Sequence, residues 1–327
     1  MTKATFMPSE EALKGEPFKI AVFKFEENDN EVAKQAALGA SLASRVEMVI
    51  GKNRLGKIVD RKAVTKLQQE VALAEMNQTG SYKGPQVADY AISGEISNAG
   101  FTSKYSNTST CFDPLSRQVK PIPPHFEYSS DVVGSIKVYE LPSLAVIESI
   151  ELNGSKTRNE NVKKSGGLDL GVISFGGTSA DAITRDDDLV RKAGESAIES
   201  AESDIKNFFS KRGFIMEKRS FEDKIIFKIN IGSVDGLQHG DKLEISGQYE
   251  VENSITEKSE VEARIIASGT VTQLIDPKVS WIVVNDAEKA NSIRLGDAVK
   301  MKYKKSFMHS GTGKMGLSLL GKICGAK

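Results

Sequence analysis

The side chains that carry most protein chemistry are sparse in this 327-residue chain, which has three histidines, two cysteines and one tryptophan. His125, His239 and His309 each sit in loop-like sequence with no Cys, Asp or Glu at ligand spacing. A general base works only when a second group holds it, so these read as surface histidines. Cys111 and Cys324 are far apart and lack metal-ligand spacing, which excludes a zinc site and a dense disulfide framework and leaves at most one disulfide. Gly311-Thr-Gly-Lys314 looks like part of a phosphate loop, but Met308 stands where the first glycine belongs. Met315 likewise replaces the Ser or Thr that would hold magnesium, so the stretch reads as a flexible hinge. Asp186-Asp-Asp188 could face a cation, yet adjacent carboxylates point different ways and lack a calcium loop's alternating ligands. A helix cap is the simpler role. Asp60-Arg61 stays open between a functional site, a buried ion pair and a helix start with a solvated arginine. No catalytic residue, cofactor-binding residue or metal ligand is assigned, and the chain reads as non-enzymatic.

Composition sets the frame for the elements that would position any site. With 39% hydrophobic and 27% charged residues the chain can bury a core. Its 44 Lys plus Arg balance 44 Asp plus Glu, so no global field favours nucleic acid or an anionic surface. The apolar stretches fall short of the roughly 20 residues of a membrane helix. Residues 1–15 lack a basic segment followed by an apolar one. The expectation is a cytoplasmic protein, or an envelope protein without its export signal.

Residues 18–25 read as a buried strand, and Leu38, Leu42, Val46 and Val49 recur at helical spacing through Ile50. A short strand at 57–61 runs into a second helix carrying Val64, Leu67, Val71 and Leu73. Further strands are expected at 88–100, 132–141 and 144–152, the last two joined as a hairpin at Pro142-Ser143. Polar excursions at 102–130 and 156–188 interrupt this sheet, and loops of such length are usually functional or disordered. A third helix covers 189–209, headed by the three aspartates. Beyond Gly213, short apolar runs alternate with turns every ten residues or so, the pattern of a small barrel or sandwich. Strands are expected there at 224–231, 241–246, 262–274, 279–285 and 298–302. Gly240-Asp241 and Gly296-Asp297 each precede an apolar alternation, which suggests one turn chemistry used twice.

The expected organisation is an N-terminal extension at 1–17, then an α/β (α+β) three-layer domain at 18–212 with a mixed sheet and about three helices. A small all-β barrel-like domain follows at 213–305, and a basic, glycine-rich tail at 306–327. From Lys304 onward the chain has five lysines and no acidic residue, with Met315, Leu317, Leu319, Leu320 and Ile323 between them. Such a segment could meet a partner groove or an anionic membrane surface, or pack on its own domain or stay disordered.

Ile20-Ala-Val-Phe-Lys-Phe25, a helix, Ile58-Val-Asp-Arg61 with Leu67 to Glu70 following, and Ala88-Asp-Tyr-Ala-Ile-Ser-Gly-Glu-Ile96 together resemble the curli-secretion lipoprotein (CsgG) family. The resemblance spans about 18–209. In the second domain, Ile229-Asn-Ile-Gly-Ser-Val-Asp-Gly-Leu-Gln-His-Gly-Asp241 and Ile293-Arg-Leu-Gly-Asp-Ala-Val299 are similar to the C-terminal β-domain of flagellar assembly protein T. The resemblance implies a periplasmic fold, at the periplasmic face of the outer membrane, that serves in assembly and often oligomerises. It implies a ring or collar component at a secretion system or a flagellar or other appendage base. Its partners would be copies of itself, other envelope-machine proteins and, through 306–327, a membrane surface; nucleic acid is not expected. Relatives of that family also suggest an activator of a peptidoglycan synthase, or an export channel. The channel depends on a long loop after the first strand and on two membrane hairpins. Here only residues 26–30 follow the first strand, the first excursion is broken by Pro114, Pro121, Pro123 and Pro124, and the second is charged at both ends. Those departures favour a peripheral ring over a pore.

Overall fold

A computed structural model describes residues 2–3, 8–10, 13, 17–60, 65, 67–69, 88–107, 109–113, 118–161, 183–221, 224–253 and 258–304. After a two-residue strand β1 (Thr2–Lys3), the first unit is a five-stranded mixed sheet. It is built from β2 (Lys19–Val22), β3 (Lys57–Ile58), β4 (Tyr90–Ser106), β7 (His125–Glu140) and β8 (Ala145–Asn161). Its order is β3-β2-β4-β7-β8, with β2 parallel to β3 and β4 and the rest antiparallel. The expected hairpin at Pro142-Ser143 is present: β7 and β8 pair on either side of residues 141–144.

Three helices lie on one face. The single helix expected through Ile50 is in fact two, α1 (Glu31–Gln35) and α2 (Leu38–Lys52), because Ala37 adopts a left-handed φ of 50° between them. Asn30 caps α1 by accepting the Ala33 amide at 2.8 Å. The long α3 (Asp187–Phe209) is capped by Asp186, which accepts the Leu189 amide at 3.0 Å; Asp187 and Asp188 occupy its first turn, where the helix dipole favours anions. Alternation along the strands sends Ile92, Ile136, Ile150 and Leu152 to this face, where they meet Leu42, Val46, Ala197 and Ile198. At Gly154 a Cβ would collide with the carbonyl of Ala193 and the amide of Ala197, so α3 rides directly on the β8 backbone. Leu67, within the helical residues 67–69, joins Ala21, Phe23, Ala91 and Leu141 in a smaller core on the other face, making the third layer. The remainder of that expected second helix lies outside the described residues.

The excursion at 102–130 is not a loop. β4 continues to Ser106, the hairpin β5 (Ser109–Asp113) and β6 (Gln118–Ile122) follows, and β7 begins at His125. The start of the second excursion is also strand, since β8 runs to Asn161; residues 162–182 lie outside the described residues.

From Arg212 to Met301 the chain forms a closed six-stranded antiparallel barrel of β9 (Arg212–Phe221), β10 (Lys224–Ile229), β11 (Lys242–Asn253), β12 (Lys258–Ile275), β13 (Ser280–Val284) and β14 (Ala298–Met301). Strand β9, read as connection in the sequence, is one of its walls. A short helix α4 (Ala287–Ser292) and a 3-10 turn (Ser233–Asp235) depart from the all-β expectation. The pairings β9·β10, β9·β14 and β10·β13 mirror β12·β13, β12·β11 and β13·β10, and β11·β14 maps onto itself. Exchanging the first three strands with the last three therefore leaves the barrel unchanged, a pseudo-two-fold. The turn chemistry obeys it. Asp241 accepts the Gln238 amide and Asp297 the Arg294 amide, both at 2.7 Å, and the glycines before them, Gly240 and Gly296, have φ of 89° and 84°. β1 adds to β11 where that strand runs past the barrel wall, through Thr2↔Glu250 and Lys3↔Tyr249.

Candidate assembly surface

β2 pairs with β4 only at Tyr90 to Ile92, with an isolated bridge at Glu26 and Glu95. Beyond Ala99, β4, β7 and β8 proceed as a three-stranded ribbon, in register out to Ser106, His125 and Asn161. At 3.3–3.4 Å per residue the ribbon reaches roughly 25 Å past the body of the sheet. Among the described residues no strand pairs with the outer side of β8 or with β4 beyond Ile96, and a strand edge without a neighbour presents backbone donors and acceptors.

The two ribbon faces differ. On the helix side Phe101 and Tyr105 of β4 alternate with Tyr128 and Phe126 of β7, with ring centroids 6.0 Å (Phe101–Tyr128), 6.1 Å (Phe126–Tyr128) and 5.3 Å (Tyr105–Phe126) apart. Such contacts add on the order of 0.5–1.5 kcal/mol each beyond burial. Arg158 of β8 lies over Tyr128 at 5.4 Å and pairs with Asp186 at 2.9 Å, while the Ile183 amide donates to the Tyr128 hydroxyl at 3.3 Å. These contacts fasten the ribbon to the start of α3. Next to them Arg185 donates to both oxygens of Asp187 at 2.6 Å, which holds that carboxyl below the usual range. The opposite face is polar, with Thr102, Lys104, Glu127, Ser129, Ser155 and Thr157 along it, and Thr102 and Ser129 share a 2.6 Å hydrogen bond.

Residues singled out in the sequence are scattered. His125 opens β7, with Nδ1 3.0 Å from the Pro123 carbonyl, and His239 is exposed in a barrel turn. Asp186 to Asp188 serve as cap and first turn of α3. Asp60 is exposed. Cys111 lies on β5 and is disulfide-bonded. Arg61, His309, Gly311 to Lys314, Cys324 and the tail at 306–327 lie outside the described residues. Among the described residues no group of three or more His, Cys, Asp or Glu is placed to hold a metal ion.

The chain matches no protein-family model and no curated protein.

The barrel is tied to the first unit at the end of α3. The Asn207 side chain makes both hydrogen bonds of a strand pair with Tyr303, donating to its carbonyl at 3.0 Å and accepting its amide at 2.8 Å. Lys300 donates to the Phe208 carbonyl at 3.3 Å, placing a cation at the helix C-terminus, where the dipole favours it. Burial, then repulsion from Arg212 and Lys302, lowers the Lys300 pKa, and burial, then Asp241, pushes the Tyr303 phenol up to about 12. Arg54 donates to the Ser233 carbonyl at 3.0 Å from the far end of α2. Among the described residues the first unit carries one cleft at its sheet end and another beside this junction. One, of about 420 Å³, is lined by Phe18, Lys19, Asp89, Tyr90 and Glu140; the other, of about 430 Å³, by Arg45, Lys52, Glu199, Lys206 and Tyr303. In the second cleft Arg45 pairs with Glu199 at 2.8 Å.

Sequence reasoning missed the aromatic row and Arg158. The signal was the two-residue spacing of Phe126 and Tyr128 and the even offset of Phe101 and Tyr105, hidden among serines, threonines and prolines.

Proposed function

We propose that this chain is a non-enzymatic scaffold of a bacterial envelope machine. Copies of it assemble into a ring or collar on the periplasmic side of the outer membrane, around a secretion system or an appendage base. The observation that carries this reading is the projecting ribbon, whose two edges no strand among the described residues covers. An edge of this length is an aggregation hazard unless something covers it, and a neighbouring subunit covers it specifically. The junction at Asn207, Lys300 and Arg54 supports the same reading, because it holds the barrel in a defined place relative to the ribbon. The likeness of the two sequence segments to curli-secretion and flagellar assembly proteins gives the machine its class.

The length of the ribbon strands also favours a second reading, an export channel, since 16 or 17 residues exceed the roughly 9–11 a membrane strand needs. Its faces weigh against that. A lipid-facing strand surface is apolar, whereas here Lys156, Arg158 and Glu160 share the aromatic face and hydroxyls and charges fill the other. No helix among the described residues is long and apolar enough to cross a membrane.

Light scattering on the purified chain, from low to high micromolar concentration, tests the scaffold. The expected result is a discrete multimer of several copies. A monomer throughout the range would refute it.

A further inference from the structure

We propose that the outer wall of the barrel around Trp281 is a peripheral docking patch for an anionic membrane surface. Trp281 is the only tryptophan of the chain and lies on β13, outward-facing between the buried Ser280 and Ile282. The Arg219 guanidinium lies 5.1 Å from its ring and the Lys228 ammonium 5.9 Å, from β9 and β10 respectively. Ile226 and Val283, paired across β10 and β13, are half-buried on the same outward side, and Leu274 is 62% exposed at the end of β12. Glu217 pairs with Arg219 at 2.5 Å and offsets one of the two charges.

The chain as a whole is electrically neutral, so this cationic, aromatic and aliphatic cluster is a local feature and not a sample of a basic surface. Charge complementarity requires an anionic partner. Shape selects which one. β10 and β13 are paired on both sides, so no edge is open for a peptide strand, and the outer wall of a closed barrel is convex. A bilayer interface needs neither groove nor edge. It accepts an indole at headgroup depth, aliphatic side chains just below, and cations against anionic headgroups. The patch is independent of the oligomeric reading and of the basic tail.

The sole tryptophan makes the test local. The full chain is mixed with vesicles of phosphatidylcholine containing 30% phosphatidylglycerol, with pure phosphatidylcholine vesicles, and with poly-L-glutamate, while Trp281 emission and co-sedimentation are followed. The expected result is a blue shift and quenching by brominated lipid on the anionic vesicles alone, weakening as salt rises. Each cation contributes about five-fold in affinity, so Arg219→Ala with Lys228→Ala weakens vesicle binding about 25-fold, with thermal unfolding of the variant confirming that it is folded. Vesicle binding without a change in Trp281 emission, or undiminished in the double variant, would show that another surface carries it and overturn the proposal. A response to poly-L-glutamate but not to vesicles would overturn it in favour of a protein partner. Silence towards all three probes would also sink it.

Discussion

Asn207 links two units with a single amide. Its carbonyl and amino groups satisfy the backbone of Tyr303 at the exit of β14, so removing the side chain takes both of these partners away. Leaving a part-buried donor and acceptor without partners costs about 1–3 kcal/mol. Asn207→Ala should therefore lower the unfolding free energy by about 2 kcal/mol, read from the urea midpoint, while Asn207→Asp keeps only the acceptor and recovers part of the loss. The phenol of Tyr303, buried beside Asp241, supplies a separate pH signature at the same residue. In the folded chain its phenol keeps its proton to about pH 12, whereas in the unfolded chain it titrates near 10. Between those values the folded state binds more protons, so stability falls as pH rises through that window. Alkaline titration by tyrosinate absorbance should show one of the seven tyrosines ionising last, and Tyr303→Phe should abolish that step. A last step that survives the substitution would mean another tyrosine is the protected one.

At the scale of elements, α3 rests directly on the β8 backbone at Gly154. Any side chain at Gly154 pushes backbone against backbone, a strain that cannot be relieved by a rotamer change. Gly154→Ala should destabilise by about 1–3 kcal/mol, and hydrogen exchange should show the loss concentrated in α3 and β8. This unit was largely legible in the sequence where burial imposes a period: β2, α2 and α3 follow from Ile20 and Val22, from Leu38, Leu42 and Val46, and from Val190, Ala193 and Ala197. The barrel turns were legible for a different reason, because a left-handed glycine followed by an aspartate that caps its own turn is a local device. The ribbon was not. Its outer residues, such as Ser155, Thr157 and Asn159, have no buried partner to impose alternation, and their strand state comes from the neighbouring strands. Pro121 reads as a breaker but sits on β6, a strand of an isolated two-stranded hairpin, where a missing amide is tolerated. β9 was hidden by Glu217, Lys218 and Arg219, whose strand state comes from pairing with Lys228, Phe227 and Ile226 of β10.

For the whole molecule, the ribbon, the helical layer and the barrel form a chain of fixed contacts. Arg158 and Tyr128 hold the ribbon to the start of α3, and Asn207, Lys300 and Ser210 hold the end of α3 to the barrel. One 23-residue helix thus sets the distance between the ribbon at one end and the barrel wall at the other. A scaffold subunit needs such a spacer, because identical contacts repeated around an axis close into a ring only if each subunit presents them at a constant angle. The proposed role also places few demands on the side chains whose scarcity marks the sequence. Electron microscopy of the purified full chain, with class averages sorted by rotational symmetry, tests this account most directly. It predicts closed rings of one dominant symmetry, whereas single compact particles at every concentration, or open fibres, would contradict it.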